Sequence, residues 1–129
     1  GCCFRAHLCA PHFGDRSRKK RLSARAEWHF GGGQAYCAAC SDRCPDCPYE
    51  KHAPVTAEGW EIWDLLERCG GQIRMGSTGP VGLDFGAAFL MADALGFSRS
   101  SIAEFLPAAE AGFMRGILKQ MDKSQHGEP

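Results

Sequence analysis

The chain has 129 residues, of which 44% are hydrophobic and 23% charged, enough for one small globular domain plus some unstructured length. No stretch approaches the ~18 consecutive apolar residues of a membrane span, and the opening residues lack the continuous apolar core of a secretory signal. Net charge is zero but unevenly spread: residues 1–35 carry seven Lys/Arg against two Asp/Glu (+5), and residues 36–129 carry eight against thirteen (−5). Eight cysteines without a signal point to a reduced, cytoplasmic setting and to metal or redox chemistry ahead of a disulfide framework.

In chain order, residues 1–35 read as a basic, largely irregular and flexible arm ending in the glycine-rich joint Gly31–Gln34. A short helix over Ser17–Trp28 is compatible with the residues, but its apolar positions are too few to define a buried face. The run RSRKKRLSAR within it (Arg18, Lys19, Lys20 and Arg21) could attract phosphates by counterion release, with Trp28, His29 and Phe30 following for stacking.

Residues 36–55 form a Cys-rich knuckle, and their four cysteines and three prolines argue against regular structure. Cys37, Cys40, Cys44 and Cys47 make C-x2-C-x3-C-x2-C, a candidate structural zinc site, because two thiolates two residues apart reach one ion. The three-residue gap is far shorter than the usual spacing between zinc knuckles, so His52, His29, or Cys9 with His12 could replace one pair. An iron–sulfur cluster or uncoordinated thiols fit the same residues.

Residues 56–123 carry the helical periodicity, with residues 124–129 as a tail. Thr56 is the expected N-cap of a first helix in which Ile62, Leu65, Leu66 and Cys69 share a face, and Gly70–Gly71 end it. Asp84 is the expected cap of a second, with Phe85, Ala88, Phe89 and Ala92 inward and Gly96 as its stop. A third starts at a Ser101/Glu104 capping box. Pro107 should interrupt it, leaving a short turn at 101–106 and a helix from Pro107 to Met121 that buries Leu106, Ala109, Phe113 and Ile117.

Between the first two helices lies QIRMGSTGPVGLDF. Gly76, Gly79 and Gly82 recur every third residue, which is neither the dinucleotide fingerprint nor a nucleotide-triphosphate loop, and no Lys–Ser/Thr pair follows. The expectation is a strand-free bend between helices, with no ligand of its own. No histidine lies in a helical metal-hydrolase motif or beside an elbow-type serine, and no carboxylate dyad stands out, so no enzyme is expected.

The runs WEIWDLLERCGGQIRMGSTGPVGLDFGAAFLMADALG and AEFLPAAEAGFMRGIL resemble the C-terminal region of tail assembly chaperones of long-tailed phages. In lambda-like phages these proteins are read as a frameshifted extension. The matching positions are Trp60 and Trp63, then Gln72 and Arg74, then Gly82, Leu83, Asp84 and Phe85, and last Glu110; Ile73 stands where an aromatic is usual. The resemblance covers residues 56–120. It implies a non-enzymatic role in tail morphogenesis, binding tape-measure and tail-tube proteins in the host cytoplasm through Trp60, Trp63, Arg74, Leu83, Asp84 and Phe85. That account requires the glycine segment to be a bend, and strands leading into it would count against the reading. The alternative function is a small zinc module whose basic arm binds nucleic acid. The expected fold is mainly α: a three-helix unit preceded by the Cys-rich knuckle and the basic arm.

Overall fold

A computed structural model describes residues 15–40 and 47–125. The fold is mainly helical with a small two-stranded sheet. Helix α1 is Asp15–Trp28 and is followed by a π-helical turn over His29–Gly33. Two short helices come next, α2 (Gln34–Ala39) and α3 (Pro48–Lys51). Helix α4 (Ala57–Cys69), strands β1 (Ile73–Gly76) and β2 (Gly79–Leu83), α5 (Phe85–Leu95) and α6 (Arg99–Gln125) complete the chain. None of the described helices is long and apolar enough to cross a membrane.

The α4 and α5 boundaries follow the sequence signals. Thr56 Oγ1 accepts from the Gly59 amide at 3.0 Å, and Asp84 Oδ1 accepts from the Ala87 amide at 3.1 Å. The predicted inner positions Ile62, Leu65, Leu66, Cys69, Ala88, Ala92, Leu106, Ala109 and Phe113 are buried, while Ile117 is half-buried.

The third helix differs from expectation. It begins at Arg99, with the Ser98 hydroxyl accepting from the Ser101 amide at 3.3 Å, so Ser98 is the cap. It then runs unbroken through Pro107 to Gln125, past the expected tail boundary. Pro107 is exposed, so its ring displaces no packed neighbour. The interior proline removes one helical hydrogen bond. Buried Ile102, Phe105 and Leu106 on one side of it and Ala109 and Phe113 on the other hold both halves to the same core.

The larger correction concerns the basic arm. Residues 15–28 are helix, and Leu22 and Ala26 belong to the same core as α4 and α6. Two inward apolar residues suffice because α1 lies against α6 at unusually close range. A Cβ added at Gly112 would fall 1.9 Å from the Ser23 carbonyl oxygen, and one at Gly116 would fall 2.7 Å from that of Glu27. Gly112 and Gly116 are spaced Gly-x3-Gly, one turn apart on one face of α6. The glycines let backbone meet backbone, and polar pairs frame the contact. Glu27 takes the Arg115 guanidinium at 2.7 Å and also the Lys119 ammonium, Arg115 reaches the Ser23 hydroxyl, and Lys19 pairs with Glu104 at 2.8 Å.

The Gly31–Gln34 segment is likewise ordered. The chain turns at Gly32, whose φ of 117° is open to glycine, and Gly33 is buried under the Trp28 ring. The knuckle region also contains regular structure, since α2 and α3 are short helical turns flanking residues 41–46.

Candidate functional site

The glycine-rich segment is a β-hairpin. Ile73 pairs with Leu83, Arg74 with Gly82, Met75 with Pro80 and Gly76 with Gly79, in antiparallel register. Val81 is the extra residue on β2, a β-bulge that locally raises twist. The expected strand-free bend is therefore overturned. The physical reason lies in α6, which supplies an acceptor that a free loop would lack. Glu110 Oε2 accepts from the Leu83 amide at 2.8 Å, the Arg74 Nε donates to the Leu83 carbonyl at 3.2 Å, and the Asp84 amide donates to the Gln72 carbonyl at 2.8 Å. A Cβ at Gly82 would lie 2.7 Å from Glu110 Oε2, so glycine there admits the carboxylate.

Gln72, Arg74, Gly82, Leu83, Asp84 and Glu110, which carry the resemblance in the sequence, thus converge on one clip between hairpin and helices. Their observed work is structural. Of the predicted partner-binding residues, Leu83 is 0% exposed and Trp63 only 4%, so both are core and neither is a surface anchor. Trp60 and Phe85 are half-buried against the core, Asp84 caps α5, and Arg74 is exposed. The large apolar side chains exposed among the described residues are others: Met75 (68% exposed) and Val81 (55%) on the hairpin, with Tyr36 on α2, Leu90 and Met91 on α5, and Leu118 on α6. Strand alternation would have placed Met75 with Ile73 and Val81 with Leu83, so their exposure was not readable from the sequence.

A second cluster joins α1 to α3 and α4. The buried Arg25 guanidinium lies 4.6 Å from the Trp63 ring centre, 4.9 Å from Tyr49 and 5.0 Å from Trp60, and donates to the Tyr49 carbonyl at 2.7 Å. The Tyr49 hydroxyl sits 2.5 Å from His29 Nδ1. Burial first, with Cys37, Glu67 and Cys47 adding, pushes Tyr49 up to about 12 despite Arg25. Tyr49 therefore keeps its proton and shares a hydrogen bond with the imidazole, the donor being set by the His29 tautomer. Burial first, and then the Arg25 charge, hold His29 below its ordinary value.

Two cysteines, Cys37 and Cys47, lie near Tyr49 of this cluster. Cys37 is on α2, Cys40 just follows it and is exposed, and Cys47 is buried at the start of α3. Cys44, Cys9 and His12 lie outside the described residues, among which no three His, Cys, Asp or Glu side chains group as a metal set. The basic run is divided by the fold. Lys19 pairs with Glu104 and Arg21 donates to the Lys51 and Ala53 carbonyls, both at 3.2 Å, while Lys20 is exposed. His52 lies beyond them, next to Lys51.

Compared with known proteins, the chain matches one family model, a family of unknown function (DUF7697), over residues 74–127. That stretch runs from Arg74 on β1 to just beyond α6; it holds Glu110, Gly112 and Gly116 but neither α1 nor α4. No curated protein and no solved structure matches the chain.

Proposed function

We propose that this chain is a non-enzymatic protein-binding module whose working surface is the outer face of the β-hairpin. One observation carries the reading: Met75 and Val81 stand 68% and 55% exposed on a hairpin that Glu110 of α6 ties down at the Leu83 amide. Among the described residues the sheet has two strands, so β1 has one side with no described strand beside it, and three of its four residues are exposed. An unpaired edge with apolar side chains is a template for an extended partner segment, main chain giving affinity and side-chain pockets giving selectivity.

The resemblance to tail assembly chaperones supplies candidate partners, the tail-tube and tape-measure proteins, met in the host cytoplasm. The hairpin does not meet that account's condition of a strand-free bend. The proposal therefore rests on the exposed surface, and Met75 and Val81 replace Trp63 and Leu83 as its anchors. Co-expression with tube and tape-measure subunits tests it. The wild type should co-purify with at least one of them, and Met75→Ser/Val81→Ser should lose the partner with an unchanged thermal midpoint. Capture of neither subunit by the wild type would remove the tail partners, and undiminished capture by the variant would remove the hairpin face.

A structural zinc held by Cys37, Cys40, Cys44 and Cys47 belongs to the same proposal. It is supported by the pairing of the four cysteines in the sequence, two C-x2-C units whose thiolates can each reach one ion. Metal analysis should give about one zinc per chain, lost in Cys37→Ser/Cys40→Ser; a metal-free, fully folded wild type would refute it.

A further inference from the structure

α1 and α3 enclose an open cleft of about 460 Å³ lined by Ser17, Lys20, Arg21, Ala24, Lys51 and His52. Every ionisable group on its wall is basic. Among the described residues, neither Lys20 nor Lys51 has an ion-pair partner, and both are exposed. Arg21 is held in place by its bonds to the Lys51 and Ala53 carbonyls, so one cationic group is already oriented before anything binds. The acidic residues of α4 (Glu58, Glu61, Asp64 and Glu67) lie on a different element and none lines this cleft.

We propose that this cleft binds phosphate groups, and that its occupant is the sugar–phosphate backbone of a single-stranded nucleic acid. The walls offer ammonium, guanidinium, imidazole and hydroxyl donors and no Phe, Tyr or Trp on which a base could stack. Recognition is therefore of the backbone and independent of base sequence. The cationic groups are spread over two elements, Lys20 and Arg21 on α1 and Lys51 on α3, which favours a chain of phosphates over an isolated anion. This site is distinct from the hairpin surface, and involves Lys51 and His52, residues outside the basic run itself. His52 supplies a local reporter. Burial first, then the positive charges of Lys51, Arg21 and Arg25, hold its imidazole below the ordinary value, and an anion seated in the cleft would raise it.

The test is fluorescence anisotropy of a labelled oligo-dT over a salt series, alongside NMR titration of His52 with and without the oligonucleotide or inorganic pyrophosphate. The expected result is salt-dependent binding with a rise in the His52 pKa. Lys20→Gln/Lys51→Gln should weaken binding at least tenfold and reduce the slope of log K against log salt by about 1.4, at roughly 0.7 per lysine. Lys123→Gln, on the far end of α6, should leave it nearly unchanged. A His52 response to pyrophosphate as strong as to the oligonucleotide would reassign the cleft to a small phosphate ligand. Absence of binding, equal weakening by Lys123→Gln, or no weakening in the double variant would each overturn the site.

Discussion

Replacing Gly112 by alanine sets two principles against each other. By helix propensity alone, Gly→Ala inside α6 should stabilise the protein by about 1 kcal/mol. The tertiary contact reverses the sign. The new Cβ would sit 1.9 Å from the Ser23 carbonyl oxygen, 2.7 Å from its carbon and 2.8 Å from its Cα. All three are backbone atoms of a helix interior, so no side-chain rotation can relieve them. Restoring an ordinary carbon–oxygen separation of about 3.4 Å moves α1 away from α6 by roughly 1.5 Å. A gap of half that size already forfeits a quarter to a half of the dispersion energy of the facing atoms. The side chains at stake are Leu22 and Ala26 of α1 and Phe113 of α6, all buried. Setting the usual overpacking cost and this loss against the propensity gain leaves a net destabilisation of about 2–4 kcal/mol. At a urea m-value near 2 kcal/mol/M the unfolding midpoint should fall by about 1–2 M, read by circular dichroism. Gly71→Ala is the control, since its added Cβ would meet nothing within 4 Å. A Gly112→Ala midpoint equal to or above that of the wild type would refute the close α1–α6 packing.

Three further outcomes follow from the same contacts. Leu22→Ala should cost about 2–5 kcal/mol by chemical denaturation, as for a buried core leucine, whereas a solvated arm would lose nothing. Glu110→Ala should remove the acceptor of the Leu83 amide and cost about 1–2 kcal/mol, with hydrogen exchange at Leu83 rising some tenfold while α4 exchange is unchanged. Stability should also depend on pH through His29. Its folded value is depressed, so the unfolded chain binds more protons, and stability rises with pH. The contribution is complete above about pH 6.5 and is lost as pH falls below it; His52, depressed likewise, acts in the same direction. Urea midpoints at pH 7.5 and 5.5 should show this fall, reduced in His29→Asn, and an unaltered pH slope in that variant would show that another group is responsible.

Much of the fold was readable because local rules and tertiary packing agree in its C-terminal part. Thr56 and Asp84 cap helices because a short oxygen side chain can reach the third amide beyond it, wherever the helix then docks. The inward stripes of α4 and α6 follow from a period that belongs to the backbone. The candidate site was legible only as a set of residues. Gln72, Arg74, Gly82, Leu83, Asp84 and Glu110 could be picked out in order, but a string cannot reveal that Glu110, 27 residues beyond Leu83, accepts its amide and turns a glycine loop into a hairpin.

Composition, periodicity and capping thus determined that the chain is mainly helical, where α4 and α5 begin, and which faces they bury. Tertiary structure alone decided that the basic segment is a core helix, that the glycine run forms strands, and that two of the predicted anchors are buried. The reason is common to all three. Each depends on how closely another element approaches: Gly112 and Gly116 admit α1, and Gly82 admits Glu110. Such distances are set only when separate parts of the chain meet.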